Sequence, residues 1–308
     1  MAFPGQTFSI RNSIIGGSVV LALIGVGLSA YQLKEASAFN QESVGAVKLN
    51  DIVSDLMLVA KELAYERGGA YSSLKGVDKI SAEDEDRLFR GQRLADGKFV
   101  SAIAYLEANG DPAIIDTLGV AKSRWLSVKS LRETLYTQLR LSVFDRNLEV
   151  AEQWMSASSA LIRSIHQIQL LLLVEADAKG SAFQNLQAVK RSIALASEYV
   201  GLERAMLAAR ITRGERLSHD EEALLSDHRG RMRENLDFVR VVAKGTQFSR
   251  DIAVTVKSAD DYLFGEFENR RRSIYAASSS GLAYPLSAQS SHASTIALCH
   301  QQTLKSRV

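Results

Sequence analysis

Leu63-Ala64-Tyr65-Glu66-Arg67-Gly68 and Tyr199-Val200-Gly201-Leu202-Glu203-Arg204 carry the same Glu-Arg pair, and both copies interrupt an apolar stripe of helical period. Ahead of the first, Leu49, Ile52, Leu56, Val59 and Leu63 recur at steps of three and four, the spacing that lines one face of a helix. The stripe runs on to Glu66 or Arg67, then Ala70 and Leu74. Ahead of the second, Ile193, Ala196 and Val200 lead to Glu203 or Arg204, then Leu207 and Ile211. A charge on a core stripe is costly unless it is paired, neutralised or bound to something. Two arginines so placed, on two helices, suit a small anion held inside a helical bundle.

The wider sequence favours helices. Only three prolines occur in 308 residues, and Ala, Leu, Glu, Lys, Arg and Ser dominate. The formal net charge is +2, with both signs interspersed. Arg270-Arg271-Arg272 is the one basic tract and reads as a solvated helix face, so a nucleic-acid partner is not indicated. The single cysteine, Cys299, excludes an intrachain disulfide and a cysteine-built metal site. His219 and His228 fall on opposite faces of a helix and do not suit a shared metal. No glycine-rich phosphate loop, nucleophile elbow, thiol–histidine set or zinc helix motif is present. The sequence therefore predicts no enzyme, no catalytic residue, no metal and no cofactor.

Residues 13–33 are uncharged and strongly apolar around Ser18 to Leu28, long enough to cross a bilayer at about 20 residues per span. The competing reading is a cleaved signal peptide. It is weakened by the length of the segment and by Lys34 and Glu35 ahead of the best small-residue site, Ala36-Ser37-Ala38. Residues 1–12 carry Arg11 and no acid, which places this tail in the cytoplasm and the body outside it. The expected topology is single-pass, with the body outside the cytoplasm.

Beyond this anchor, residues 34–283 read as one helical body. The first helix runs without a break signal to Leu74, and Gly76 to Ile80 make a turn. Ser81-Ala82-Glu83-Asp84 resembles a capping box. Asn109-Gly110-Asp111-Pro112 stops one helix and starts the next, and Ser218-His219-Asp220-Glu221 is a full capping box. Ser142 to Glu149 reads as an irregular connection. Helices are expected from about Ala151 to Ala178 and from about Ser181 to Arg213, and a last one reaches about Ala277. The fold class is all-α: an N-terminal transmembrane helix followed by stacked antiparallel helical bundles. Residues 284–308 read as a poorly ordered tail.

At the two Glu-Arg elements the chain resembles the nitrate- and nitrite-sensing domain of bacterial transmembrane receptors. The matching stretches are Lys61 to Gly68 and Ser197 to Ala205, with support from Arg124-Trp125, Trp154-Met155 and Ala160-Leu161-Ile162. The resemblance covers roughly residues 40–280. It implies an all-helical extracytoplasmic sensor feeding a chemoreceptor or kinase module. Such receptors continue into a second span, whereas Gln289 to Val308 is rich in Ser, His and Gln. That ending reads as a truncated or frame-shifted receptor, or as a stand-alone sensor.

Nitrate is planar and singly charged, and a guanidinium offers it paired N–H donors. Arg67 and Arg204 are thus the expected anion contacts, with Glu66 and Glu203 orienting them. The alternative is crosswise pairing, Arg67 with Glu203 and Arg204 with Glu66, that locks two helices without a ligand. Gly68 and Gly201 suit close helix approach. Arg124 and Trp125 read as bundle surface with a half-buried indole. The expected partners are a small anion (nitrate or nitrite), the membrane, and a second copy or another receptor. The competing function is a membrane-tethered, ligand-free bundle that partners other receptors.

Overall fold

The computed structural model describes residues 42–76, 80–176, 181–245 and 267–282, with isolated positions between 257 and 265. All regular structure among the described residues is helical. Among the described residues seven α-helices are delimited in order: α1 Glu42–Lys75, α2 Ala82–Asn109, α3 Pro112–Arg140, α4 Glu149–Ala176, α5 Ser181–Arg213, α6 His219–Gly245 and α7 Phe267–Ser280. A 3₁₀ turn, Val143–Asp145, lies in the connection before α4.

Local chemistry fixes the helix ends. Ser81 Oγ accepts the Asp84 N–H at 3.0 Å and starts α2. Asp111 Oδ1 accepts the Ile114 N–H at 2.9 Å, and Pro112 sits in the first turn of α3, where it loses no helical bond. Before α6 the box is reciprocal: Ser218 Oγ accepts from Glu221 N at 3.2 Å, while Glu221 Oε2 accepts from Ser218 N at 2.8 Å. Such caps contribute about 1 kcal/mol each. The C-terminus of α1 is closed by a distant side chain. Arg146 Nη1 donates to the carbonyls of Ser73 at 2.8 Å and Gly76 at 2.9 Å, bringing a cation to the negative end of the helix dipole.

Successive helices alternate in direction, so α1 to α4 form an up-down-up-down bundle around Leu56, Leu63, Phe99, Leu106, Val128, Leu135, Trp154 and Ile165, all of them buried. A second core joins α5, α6 and α7 through Val189, Ile193, Val200, Leu225, Leu236, Val239 and Ile274. Helix α1 is the hub and packs against α2, α4 and α5. This explains why its predicted stripe is buried throughout and why Glu66 and Arg67, which point to different neighbours, are both buried.

Helices α1 and α5 run parallel. Their side-chain contacts join residues 137 and 140 positions apart at Asn50, 136 at Ser54 and 138 at Lys75. A constant separation along the pair means equal direction and a fixed register. The two Glu-Arg elements share that separation, so they lie at one level of the pair. No described helix is long and apolar enough to cross a membrane; the segment expected to do so, residues 13–33, and the tail 284–308 lie outside the described residues.

Candidate functional site

Arg67 stands where α1, α4 and α5 meet, with no exposed surface. Its Nη1 and Nη2 donate to Glu198 Oε1 and Oε2 of α5 at 2.5 and 3.0 Å, and Nη1 also donates to Ser159 Oγ of α4 at 2.9 Å. One edge of the guanidinium is therefore filled by a carboxylate. Its Nε is buried with no hydrogen-bond partner among the described residues. Nη2 faces Gly201, where an added Cβ would stand 3.7 Å away.

Arg204, half-buried, mirrors this from α5. Its Nη2 lies over Gly68 of α1, 3.0 Å from where a Cβ would be, and its guanidinium sits 5.9 Å from the Tyr65 ring centre. Each arginine thus reaches across the parallel pair to the glycine of the opposite element. A side chain in place of Gly68 would push the Arg204 head group away. Arg87 of α2 packs on the same ring at 4.4 Å, adding a third cation near this junction.

The two glutamates expected to orient these arginines serve other partners. Glu66 receives Arg132 of α3 at both oxygens, Nε to Oε1 at 2.9 Å and Nη2 to Oε2 at 2.7 Å, and the Tyr136 hydroxyl at 3.0 Å. Arg132 Nη1 also donates to both oxygens of Asp96 on α2, at 2.8 and 3.0 Å, and Asp96 accepts the Trp125 indole N–H at 3.2 Å. Glu203 is met by Arg271 of α7: Nε lies 2.8 Å from Oε1, close in charge but out of line for a hydrogen bond. Arg229 of α6 follows at 3.9 Å. Crosswise pairing of Arg67 with Glu203 and Arg204 with Glu66 therefore does not occur. The reason is rotational: consecutive residues on a helix point about 100° apart, so each glutamate turns into its own bundle while its arginine turns to the α1–α5 contact. Arg271 overturns the reading of Arg270 to Arg272 as a solvated face, since it is 1% exposed. Arg272 is exposed as expected.

Burial dominates the electrostatics. It raises the Glu66 carboxyl above the usual range, with Arg132 opposing. It pushes Glu203 up to about 7, opposed by Arg271 and Arg229. Beside the Arg67–Glu198 pair, burial lowers His166 of α4 to about 4, against the pull of Glu198. His228 of α6 is lowered for the same reason. A buried polar cluster lies farther up the α1–α5 seam, where Lys190 Nζ donates to Asn50 Oδ1 at 2.6 Å and to Ser54 Oγ at 3.1 Å; burial lowers Lys190 to about 8.

Sequence reasoning missed Glu198, Ser159, Arg132, Tyr136, Asp96 and Arg271. One signal was available. Arg132-Glu133-Thr134-Leu135-Tyr136 and Arg271-Arg272-Ser273-Ile274-Tyr275 share the pattern Arg, any residue, Ser or Thr, Leu or Ile, Tyr. Arg132 follows Glu66 by 66 residues, and Arg271 follows Glu203 by nearly the same number. The halves thus repeat a Glu-Arg on their first helix and an arginine partner for that glutamate on their third. The second copy is looser: Tyr275 accepts from Arg229 Nη2 at 3.5 Å, where Tyr136 donates to the glutamate. Arg124 donates to Ser164 Oγ at 2.5 Å and to the Ala160 carbonyl at 3.1 Å, which ties α3 to α4, and Trp125 is half-buried.

No group of histidine, cysteine, aspartate and glutamate suited to a metal occurs among the described residues. Comparisons with protein-family models, with curated proteins and with solved structures return no match.

Proposed function

We propose that this chain is a helical sensor domain that binds a small anion of the nitrate or nitrite type at the α1–α5 junction, between Arg67 and Arg204. The observation that carries the reading is the state of Arg67. Its guanidinium is buried, one edge is fixed by Glu198, and the Nε–H on the other side has no protein acceptor among the described residues. A buried donor left unmade costs about 1–3 kcal/mol, more when charged, so a native site of this kind calls for an occupant. An anion on that edge completes the arginine, and Arg204 on the parallel helix supplies the second charge. The resemblance of both Glu-Arg elements to a nitrate- and nitrite-sensing domain supports the same reading.

An anion shared by α1 and α5 couples the two bundles, because α1 belongs to the first core while α5 carries most of its buried residues in the second and gives Ala205 and Ala209 to the first. Signalling is then a change in how these parallel helices pack, passed along α1 toward the expected anchor at residues 13–33 and on to a receptor partner or second copy. The competing reading, a ligand-free tethered bundle, draws on the pairing of Glu66, Glu198 and Glu203 with arginines. Thermal melts of the full-length chain separate them. Nitrate at about 100 times its Kd adds about 2.7 kcal/mol and raises the midpoint by several degrees, while chloride does not. A midpoint indifferent to every small anion supports the scaffold.

A further inference from the structure

Ser159 of α4 and Glu198 of α5 meet on one atom, Arg67 Nη1. The two helices follow one another in the chain, pack together and run in opposite directions. A step forward along α4 is therefore level with a step back along α5. Seven residues make about two turns and return to the same face. Two turns on from Ser159 stands His166, and two turns back from Glu198 stands Arg191. The antiparallel register thus sets His166 and Arg191 opposite each other across the α4–α5 contact. The charges that act on His166 agree with this placement: Glu198 and Arg191 of α5, then Arg67 of α1.

Both side chains have bonds left to make. His166 is 7% exposed, and its Nε2 has no hydrogen-bond partner among the described residues. Arg191 Nε is buried in the same condition, and Arg191 forms no hydrogen bond or ion pair among the described residues. Glu198 does not fill that role, because Arg67 holds both of its oxygens. Lys190, next to Arg191, turns to α1, where Asn50 and Ser54 accept from it. A buried donor without an acceptor is costly, and a cation more so. Arg191 is only half-buried, so part of its side chain reaches solvent and gives an anion a way in.

We propose that His166 and Arg191 form a second anion subsite, between α4 and α5, that takes a small oxyanion: Arg191 supplies the charge and paired N–H donors, and His166 gives a further donor at Nε2 from the facing helix. A neutral imidazole carries one N–H, and an oxyanion beside Nε2 selects the tautomer that has it there. Burial keeps this imidazole neutral near neutrality, so it orients the anion and Arg191 alone brings charge. The subsite draws on neither Arg87 nor Arg204, which pack on the Tyr65 ring, and it stands independently of the Arg67–Arg204 reading. With one charged and one neutral donor group and an edge open to solvent, it is expected to hold nitrate at least tenfold more weakly than a site of two arginines.

The test is nuclear magnetic resonance of the full-length chain, isotope-labelled only at histidine and titrated with potassium nitrate at constant ionic strength. The His166 imidazole signals are assigned by their loss in His166→Gln. In the wild type they are expected to shift and saturate with nitrate. Arg191→Gln removes the charge and is expected to weaken that response at least tenfold. Arg191→Lys keeps the charge without the planar fork, is expected to weaken it several-fold, and holds the test open should the glutamine variant not fold. Arg204→Ala is expected to leave the response in place. His166 signals indifferent to nitrate overturn the subsite, as does a wild-type response in either folded Arg191 variant. A response that vanishes in folded Arg204→Ala belongs to the Arg67–Arg204 site and also overturns it. Loss of this subsite leaves the other reading standing, since thermal melts with nitrate test that one separately.

Discussion

Glu66 and Arg132 form a two-point ion pair across the first bundle, 2.9 and 2.7 Å long, with both side chains at 3% exposure or less. The pair joins α1 to α3, which face each other diagonally, and Asp96 and Tyr136 complete its hydrogen bonds. Such a network is stable only while every member is present.

The first prediction follows from that pair. Arg132→Ala leaves a buried Glu66 without its cation and is expected to destabilise the fold by about 3–5 kcal/mol. A double-mutant cycle between Glu66→Gln and Arg132→Ala should show coupling above about 1 kcal/mol, while Glu66→Gln and Arg204→Ala should simply add. Urea denaturation of the three single and two double variants decides it. Coupling to Arg204 instead of Arg132 would contradict the arrangement.

Glycine positions give the second prediction. A Cβ at Gly201 meets Arg67 Nη2 at 3.7 Å, an ordinary contact, so Gly201→Ala should be neutral or stabilise by up to about 1 kcal/mol through helix propensity. A Cβ at Gly68 meets Arg204 Nη2 at 3.0 Å. The guanidinium is the free end of a flexible chain and can shift, so Gly68→Ala should stay folded but weaken anion binding several-fold. Melts together with nitrate titrations of the two variants check this; equal anion affinities in both would count against Arg204 as a contact.

A third prediction concerns pH. Glu203 titrates near 7 in the fold, against 4.5 for an exposed glutamate. Between those values the folded state holds more protons than the unfolded chain, so stability falls as pH rises through this window. His166 has the opposite sign. Its folded value near 4 lies below the ordinary 6.5, so its contribution is present above 6.5 and is lost as pH falls toward 4. Each window spans a few units, on the order of a few kcal/mol. Relative to wild type, Glu203→Gln should gain stability as pH rises from 4.5 to 7, and His166→Gln should gain as pH falls over 6.5 to 4. Denaturant midpoints that stay parallel to wild type across both ranges would show that neither group titrates as described.

How far the sequence could be read depended on which interactions are local. Helix ends were legible because caps act over three or four residues: Ser81, Asp111 and Ser218 each do what their side chains suggest. The stripe from Leu49 to Leu74 was legible because burial repeats with the helical period. The same period left open whether Glu66 or Arg67, and Glu203 or Arg204, continues each stripe. The partners of Glu66 and Glu203 were not legible. Arg132 and Arg271 are remote in the chain, and an arginine in a charged run such as Arg270 to Arg272 looks solvated until the packing of α7 buries its middle member. Glu198 was hidden for a related reason: it stands one turn ahead of the Glu-Arg element, and only the parallel register of α1 and α5 brings it to Arg67.

Nitrate titration of Arg204→Ala tests the anion site most directly. Arg67→Ala is the less clean variant, since it leaves the buried Glu198 unpaired and costs stability by itself. Arg204 is half-buried, and the carboxylates Glu66, Glu198 and Glu203 are each held by a different arginine. Arg204→Ala is expected to stay folded and to lose nitrate affinity at least tenfold, as removal of a charge-assisted contact of about 1.5–3 kcal/mol requires. A folded Arg204→Ala protein that binds nitrate as tightly as wild type would contradict the account.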